Sequence, residues 1–402
     1  MRSGDRRAHT GRVNVGGDSA MRRVTKFHTP EILFGPGALA EAANAVAALG
    51  VSRPLVVSDR RLAETEWFSR LLADLRGRGL TPAAYLDVTP NPRAEEVIAG
   101  RSAYGEHRAD GLVALGGGSV IDTAKGVAVL AANGGHILEY EGIDKAVQSL
   151  PPLVAVPSTA GSGADVSQFC IINDTERRTK VTIVGRTLVP NVAVIDPVLV
   201  TTAPSAVIAQ AGMDALTHCV EAFVSLARGR LTDALAVESL TGVWTNLERL
   251  VHDPADEQAG TEMSLAALRA GMAFTNAILG ATHAMSHPVG GYCDAPHGTV
   301  NSVLLPHVIR YNAQVCAEDF AELAAAVGLP ASGSARSVAD GLAEAVAGLA
   351  ERVGMPATLS PLGVRAADLD LLTERALSDS CMLTNPRRPE AAGILDVYRE
   401  AL

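Results

Sequence analysis

Short β-branched runs alternate with amphipathic stretches between about residue 30 and residue 200, and this alternation constrains the fold more than any other feature of the chain. The runs are PLVVSD at 54–59, AAYLDV at 83–88, GLVALGGGS at 111–119 and PLVAVPST at 152–159. Strands that alternate with helices pair in parallel and are covered by those helices. Ligands bind at the carboxyl ends of such strands. The sequence therefore predicts an α/β domain whose chemistry lies at this edge of the sheet.

The pattern changes after Asp196 and Pro197, where long Ala- and Leu-rich segments replace the strands. Helices are predicted at 203–229, 231–251, 258–279, 300–312, 334–353 and 391–401. A chain of 402 residues also exceeds the usual span of one hydrophobic core. We predict an α/β domain at 25–204 and an all-α domain at 205–402.

Composition excludes several classes of protein. The formal net charge of -10 gives an acidic surface, so no nucleic-acid partner is expected. No apolar run approaches the roughly 20 residues of a membrane helix, so no membrane partner is expected either. The five cysteines form no C-x-x-C pair, which favours reduced thiols and a cytoplasmic location. Residues 1–24 lack an apolar signal core and are expected to be a disordered leader, with Met21 as an alternative start.

A run of glycines opens the helix that follows the third of these apolar runs. Gly116, Gly117, Gly118 and Ser119 lie between the strand and the stretch VIDTAKGVAVLAA. Glycines let a diphosphate approach the backbone, and the free amides at a helix N-terminus favour negative charge. The dinucleotide pattern G-x-G-x-x-G is incomplete because Ile121 takes the place of the third glycine. The loop is either a phosphate site or simply a tight turn before a helix.

Five potential metal ligands fall within two segments of the helical half. Asp214 and His218 are four residues apart on a predicted helix, and His283 and His287 repeat this spacing. His297 follows in a predicted loop, CDAPHGTVN. One such pair is commonly only hydrogen-bonded, but buried imidazoles and carboxylates are costly without a metal or a charged partner. The all-N/O set suits Fe(II), Zn(II), Mn(II) or Ni(II), and the spacing leaves open which of the five bind.

With these segments identified, the chain resembles the iron-containing, or group III, alcohol dehydrogenases from Lys26 to Leu402. The resemblance rests on GGGSVIDTAKG, PSTAGSGADVSQF, GMDALTHCVEAF, THAMSHPVGGYCDAPHGTVNSVLLPHVIRYN and LSDSCMLTNPR. It implies a nucleotide-binding α/β domain with a mostly parallel sheet and an all-α metal-binding domain. The architecture implied is the two-domain one of dehydroquinate synthase, with the active site in the cleft between the domains.

The resemblance also implies roles for individual residues. The implied metal ligands are Asp214, His218, His283 and His297, while His287 is the implied catalytic residue that handles the proton. The implied cofactor-binding residues are Asp59, Asn91, Gly117, Gly118, Ser119, Asp122, Ser158, Thr159, Ser162 and Lys180. The implied substrate pocket contains Phe169, Phe274 and Cys381.

The expected activity is hydride transfer between a primary alcohol or its aldehyde and NAD(H), with Fe(II) as the expected metal and Zn(II) as the alternative. Asp59 favours NAD because its carboxylate can accept a hydrogen bond from the ribose and would repel the phosphate of NADP, although it can also be only a helix cap. The resemblance implies a homodimer or larger homo-oligomer. Alternatives are an aldehyde reductase for a small functionalised aldehyde, a lyase related to dehydroquinate synthase, a maleylacetate-type reductase, and a non-catalytic nucleotide- and metal-binding regulator.

Overall fold

The computed structural model describes residues 27–402, so the predicted leader at 1–24 lies outside the described residues. The strands are β1 (Glu31–Phe34), β2 (Pro54–Val57), β3 (Ala83–Tyr85), β4 (Gly111–Gly116), β5 (Gly142–Ile143), β6 (Leu153–Pro157), β7 (Phe169–Asp174), β8 (Thr179–Val184) and β9 (Val192–Ile195). The helices of the first half are α1 (Ala42–Ala48), α2 (Arg60–Ala63), α3 (Glu66–Gly77), α4 (Ala94–Glu106), α5 (Gly118–Asn133) and α6 (Pro197–Val200). The helices of the second half are α7 (Ser205–Val224), α8 (Arg230–His252), α9 (Glu257–Ala277), α10 (Ala281–Cys293), α11 (His297–Ala326), α12 (Ala335–Arg352), α13 (Leu369–Ser378) and α14 (Ala391–Ala401).

Six parallel strands form the main sheet in the order β1-β9-β6-β4-β2-β3. Alternate strand residues face opposite sides of the sheet. Val56 and Val113 pack with α1 and α3 on one face, while Leu55 and Leu112 pack with α4 and α5 on the other. Burial on both faces explains why these strands are continuously apolar. From β2 the chain continues outward to β3, whereas from β4 it continues to β6, so the direction reverses between β2 and β4. Open α/β sheets bind ligands at this reversal.

A second, three-stranded sheet was not predicted from the sequence. β7 and β8 pair antiparallel as a hairpin, and β5 joins β8 in parallel. Two residues of the predicted site, Phe169 and Lys180, lie on this hairpin. The hairpin therefore presents side chains from the α/β half to the helical half.

The second half is helical throughout, which confirms the predicted fold class, whereas the predicted domain boundaries stay a prediction. α7, α8 and α9 lie within a few residues of their predicted ranges, and α14 matches its range at both ends. α10 and α13 were not predicted as helices. No helix in residues 27–402 combines the length and the apolar character needed to cross a membrane.

The predicted position of His297 in a loop was wrong. His297 is the first residue of α11, with Pro296 immediately before it, and the helix starts three residues earlier than predicted. Gly298 and Thr299 have low helix propensity, so the sequence did not indicate a helix start here. Tertiary contacts of the segment override this low propensity. As a result, His297 and Asn301 are an additional pair spaced by four residues on one helix face.

Gly298 allows α11 to approach α7 closely. A Cβ atom at position 298 would lie 2.0 Å from the carbonyl oxygen of Gln210, an atom of the α7 backbone. The end of a long side chain can move to relieve such a clash, but a backbone atom of a packed helix cannot. This contact brings the first turn of α11 against the part of α7 that carries Asp214 and His218.

We expect Gly298→Ala to destabilise the metal-free protein by about 1–3 kcal/mol, the usual effect of overpacking. Gly341→Ala is the matched control, because Gly341 lies inside α12 and a Cβ atom there would have no other atom within 4 Å. That substitution should stabilise the protein by about 0.5–1 kcal/mol through higher helix propensity. Urea unfolding of both variants measures the two effects, and equal midpoints would contradict the steric role of Gly298.

Candidate active site

A cavity of about 220 Å³ lies between the N-terminus of α5, the β7–β8 hairpin and the helices α7, α9, α10 and α11. Most of the residues that the sequence analysis singled out line it. Those residues are Asn91, Gly118, Ser119, Asp122, Ser162, Phe169, Lys180, Asp214, His218, Phe274, His283, His287, His297 and Cys381. The strand ends of the α/β half and the helical half therefore share one cleft.

Four predicted cofactor residues do not line this cavity. Ser158 is buried, Thr159 lines a separate narrow pocket against α7, and Gly117 precedes α5 as its N-cap. Asp59 caps α2, with its Oδ1 accepting the amides of Arg61 and Leu62 at 2.9 Å each. The helix-cap alternative for Asp59 is thus realised. Asp59 and Gly117 nevertheless follow β2 and β4, the strands that flank the reversal in strand order.

Three imidazoles converge on one carboxylate oxygen. The Nε2 atoms of His218 and His283 are each 3.7 Å from Asp214 Oδ1, and the Nε2 atom of His297 is 3.6 Å away. We call Asp214, His218, His283 and His297 the Asp214 cluster. The ligand atoms of a tetrahedral zinc-type site, each about 2.0–2.2 Å from the ion, lie about 3.3–3.6 Å apart. The distances from Asp214 Oδ1 therefore approach those of a metal site. The ligand atoms of Asp214, His283 and His297 also lie within 4.8 Å of one another, a group that does not include His218.

The other ring nitrogen of each imidazole meets an acceptor behind the ring. His218 Nδ1 is 3.2 Å from the carbonyl oxygen of Gly161, and His297 Nδ1 is 3.0 Å from Ser286 Oγ. His283 Nδ1 is 2.6 Å from Glu221 Oε2. An imidazole that donates from Nδ1 has its lone pair on Nε2. These contacts leave each Nε2 directed at Asp214, where a neutral ring presents the lone pair with which histidine binds metals.

The amide of Asn301 lies at the same centre. Its Nδ2 is 2.8 Å from Asp214 Oδ1, 3.3 Å from His283 Nε2 and 3.2 Å from His297 Nε2. Its Oδ1 is buried without a hydrogen-bond partner. Nδ2, a hydrogen-bond donor, thus faces the carboxylate oxygen and two imidazole nitrogens, the same atoms that a divalent cation would bind. This donor set fits a divalent cation.

Burial and mutual contact shift the pKa values of the Asp214 cluster. Burial opposes the charged carboxylate of Asp214, but the surrounding imidazoles outweigh it and hold the pKa of Asp214 well below its ordinary value. Burial lowers the pKa of His218 to about 4 and that of His297 well below its ordinary value. Burial also opposes the charged form of His283, yet contacts with Asp214 and Glu221 raise its pKa to about 9. Two of the three imidazoles are therefore neutral near pH 7.

His287 lies beside the Asp214 cluster but is held differently. Its Nδ1 is 2.7 Å from Asp379 Oδ2, and its ring stacks on that of His297 with centroids 5.4 Å apart. Asp379 is fixed in turn, because its Oδ1 accepts the amide of Cys381 at 2.8 Å. With Nδ1 bonded to a carboxylate, Nε2 is the nitrogen left to exchange a proton with a molecule in the cavity.

The start of α5 contributes another part of the cavity lining, together with Ser162 and Lys180. Gly118 begins α5, and a Cβ there would lie 2.8 Å from the Cβ of Ser162, so only glycine lets these segments meet. Gly118 and Ser119 line the cavity at this helix start, and the free amides of a helix start favour an anion. Burial raises the pKa of Asp122 to about 6 and lowers that of Lys180 to about 8. This part of the cavity therefore offers helix amides and a buried lysine whose pKa still lies above neutral pH.

Aromatic side chains form the wall next to the Asp214 cluster. The rings of Phe169 and Phe274 lie 5.8 Å apart, and Phe274 stacks on His218 with centroids 4.3 Å apart. Gln168 and Cys170, the neighbours of Phe169 in sequence, do not line the cavity. The side-chain amide of Gln168 donates to the carbonyl oxygen of Thr275, and the Cys170 thiol donates to that of Asp122. In the β7 strand, Ile171 lines the cavity in place of Cys170 because alternate residues share a face.

Among the residues that the sequence did not predict are Glu221, Asn301 and Asp379, which contact the Asp214 cluster or His287. Glu221 had a usable signal, because it is an acid among apolar residues of a predicted helix, seven positions after Asp214. Asn301 follows His297 by four positions, a signal that depended on recognising the helix start. Asp379 had no local signal, since its partner His287 is 92 positions away.

Fold and site together define a class of two-domain dehydrogenase, with an α/β half that presents a glycine-opened helix and a helical half that presents an Asp/His centre. The family described as "Iron-containing alcohol dehydrogenase" matches residues 29–197, and the description "Fe-containing alcohol dehydrogenase family, C-terminal" matches residues 208–402. The chain belongs to the iron-containing alcohol dehydrogenase family.

Similar proteins cover nearly the whole chain. "1,3-Propanediol dehydrogenase" of Klebsiella pneumoniae is 37% identical over 94% of this chain and 99% of its own length. "Alcohol dehydrogenase 4" of Saccharomyces cerevisiae (strain YJM789) is 38% identical over 95% of this chain and 99% of its own. A solved structure of a 1,3-propanediol oxidoreductase, 37% identical, matches with a TM-score of 0.91 over 94% of this chain and all of that one. The predicted family and the predicted oxidoreduction of alcohols and aldehydes are confirmed.

Proposed function

We propose that this protein is an NAD-dependent alcohol dehydrogenase for small primary alcohols and their aldehydes, with one divalent metal ion, Fe(II) or alternatively Zn(II), in the Asp214 cluster. The observation that carries the proposal is the convergence of three imidazole Nε2 atoms on Asp214 Oδ1, within 3.6–3.7 Å. The same cavity contains the start of α5, the element proposed to hold the cofactor diphosphate. When bound, the metal ion supplies Lewis acidity toward the alcohol or aldehyde oxygen, and NAD(H) accepts or donates the hydride.

The residues of the chain have separate tasks in this proposal. The Asp214 cluster binds the ion, and the acceptors behind its rings keep each Nε2 aimed inward. The start of α5, Ser162 and Lys180 bind the cofactor, and Asp59 favours NAD because its Oδ2 can accept a ribose hydroxyl while Oδ1 caps α2. The remaining cofactor residues of the proposal are Asn91, Gly117, Gly118, Ser119, Asp122, Ser158 and Thr159.

His287 is proposed to move the proton. Oxidation of an alcohol releases one proton for each hydride transferred, and that proton must leave a largely buried site. His287 Nε2 can accept it, because Asp379 binds Nδ1 and stabilises the imidazolium that forms. In the reverse direction the same nitrogen returns a proton to the nascent alcohol.

The walls of the cavity favour a small, weakly polar substrate. The cavity has an apolar side near the Asp214 cluster, formed by Phe169, Ile171, Phe274, Leu279 and Cys381. Its volume of about 220 Å³ is below the roughly 300–1,000 Å³ of pockets for drug-sized ligands. Since the nicotinamide must occupy part of this space, alcohols of a few carbon atoms fit best. The predicted homo-oligomer and cytoplasmic location stay predictions.

The test is turnover by the reconstituted enzyme. Protein stripped by a chelator is reloaded anaerobically with Fe(II) or Zn(II) and assayed through NADH absorbance with ethanol, 1-propanol, 1-butanol and 1,3-propanediol, using NAD or NADP. We expect turnover that requires the added metal and prefers NAD. Full activity of the stripped protein would contradict the metal site. Tight NAD binding without turnover on any alcohol or aldehyde would instead favour the regulatory homologue.

A further inference from the structure

A buried carboxylate lies behind the Asp214 cluster. Glu221 is only 2% exposed and lies on α7, three residues after His218 and seven after Asp214. One helix face therefore carries all three side chains. Asp214 and His218 point into the cluster, whereas the carboxylate of Glu221 contacts the far side of His283 on the neighbouring helix α10.

Three donors surround this carboxylate. Glu221 Oε2 is 2.6 Å from His283 Nδ1, Oε1 accepts the amide of Thr282 at 2.5 Å, and the amide of His283 approaches Oε2 at 3.4 Å. The two amides belong to the first turn of α10, where a negative charge is favoured. A buried carboxylate needs such donors, and within residues 27–402 the ion pair of Glu221 is with His283.

The three imidazoles of the cluster differ in what lies behind them. His218 has a backbone carbonyl oxygen and His297 has the hydroxyl of Ser286, which are both neutral. His283 alone of the three has a carboxylate there. A charged acceptor holds the N–H of an imidazole more firmly than a neutral one and makes the opposite nitrogen a better electron donor. The contact also fixes the rotation of the ring, because Glu221 is itself held by the amides of α10.

We infer that Glu221 is a positioning residue of the metal centre: acting through His283, it directs Nε2 into the Asp214 cluster and raises the affinity of the cluster for a divalent ion. This inference rests on the proposed metal site. It makes α7 the organising element of the centre, since this helix supplies two ligands directly and aims a further ligand on α10. A purely structural role, in which Glu221 only caps α10, predicts a loss of stability with unchanged metal affinity.

The experiment measures metal affinity apart from activity. Apoprotein with Glu221→Gln is titrated with Zn²⁺ in competition with a chromophoric chelator, at a temperature where it is folded. We expect the Kd for Zn²⁺ to rise by about 10–100-fold, the usual effect of removing such a partner, with NAD binding unchanged. Ser286→Ala is the matched control, because it removes the neutral acceptor behind His297, and its Kd should rise by less than that of Glu221→Gln. Absorption bands of the Co²⁺-loaded variant should also shift, since they report ligand geometry.

Each result has a defined meaning. A Kd for Glu221→Gln equal to that of the unsubstituted protein, with a lower unfolding temperature of the apoprotein, overturns the inference and leaves only the capping role. If Glu221→Gln does not fold, Glu221→Asp is measured instead: it keeps the charge but withdraws it by one methylene, so weaker binding supports the inference and unchanged binding overturns it. If the unsubstituted protein itself binds no ion, the proposed function fails, whatever the behaviour of the Glu221 variants.

Discussion

Replacing His297 with alanine is expected to remove the bound metal and the turnover together, while leaving the fold intact. Its Nε2 lies 3.6 Å from Asp214 Oδ1, as one of the four proposed ligand atoms. Its side chain is 25% exposed, whereas that of His283 is 2% exposed, so truncation at His297 creates the smaller internal void. Loss of a partner behind a ligand weakens metal binding by about 10–100-fold, so loss of the ligand itself should weaken it by more than about 100-fold.

The measurement combines metal content per chain after dialysis against a chelator with kcat/KM for an alcohol. His307→Ala is the control, because His307 lies on the same helix but contacts Glu400 instead of the Asp214 cluster. The control should retain metal and activity. Apoprotein unfolding and NAD binding should be unchanged in both variants. A His297→Ala protein that holds its ion after dialysis, or turns over fully without one, would contradict the proposed ligand set.

The fold was largely predictable because its patterns are local. Runs of β-branched residues between amphipathic stretches mark β2, β4 and β6 within a few residues, since each of these strands is buried on both faces. The predicted strand at 111–119 ends at Gly116 in the structure, because Gly117 already caps the helix that follows. The β7–β8 hairpin was not predicted although its pairing is local, because its two strands mix polar and apolar residues and give no clear strand pattern.

The site was predictable where spacing and resemblance agree. The pairs Asp214/His218 and His283/His287 were recognised from their spacing of four residues, and all four residues line the cavity. Spacing could not show which histidines bind the metal and which one carries the proton, because that distinction depends on the residue that contacts Nδ1 of each imidazole. Asp379 is 92 positions from His287, and Glu221 is 62 positions from His283. Contacts of this range are produced by the packing of helices and leave no periodic trace in the sequence.

Asp59 shows a different limit of sequence reasoning. The resemblance implied a ribose contact, and the local pattern equally allowed a helix cap. In the structure the side chain caps α2 through Oδ1. The two roles are compatible because a carboxylate has a second oxygen, so the preference for NAD remains a proposal to be tested by assays with both cofactors.

His287→Ala is expected to show the opposite combination from His297→Ala: the metal stays and the rate falls. His287 contacts Asp379 through Nδ1 at 2.7 Å and is not one of the proposed ligands, so its removal leaves all four ligands of the Asp214 cluster in place. Proton transfer by a positioned side chain contributes typically about 10²–10⁴-fold to rate, and a decrease of that size in kcat is expected. Substrate binding should change less, because the aromatic wall is untouched.

The pH profile of kcat separates loss of a proton carrier from general damage. Alcohol oxidation by the unsubstituted enzyme should become slower as pH falls, because the reaction releases a proton that a base must accept. In His287→Ala the rate should be low and its pH dependence should differ from that of the unsubstituted enzyme, because only solvent bases remain to accept the proton. Asp379→Asn retains the ring but removes the charge that stabilises the imidazolium, so its loss of rate should be smaller than that of His287→Ala. Both variants should contain as much metal as the unsubstituted enzyme. Kinetics of His287→Ala that are unchanged across the pH range would exclude His287 from proton transfer.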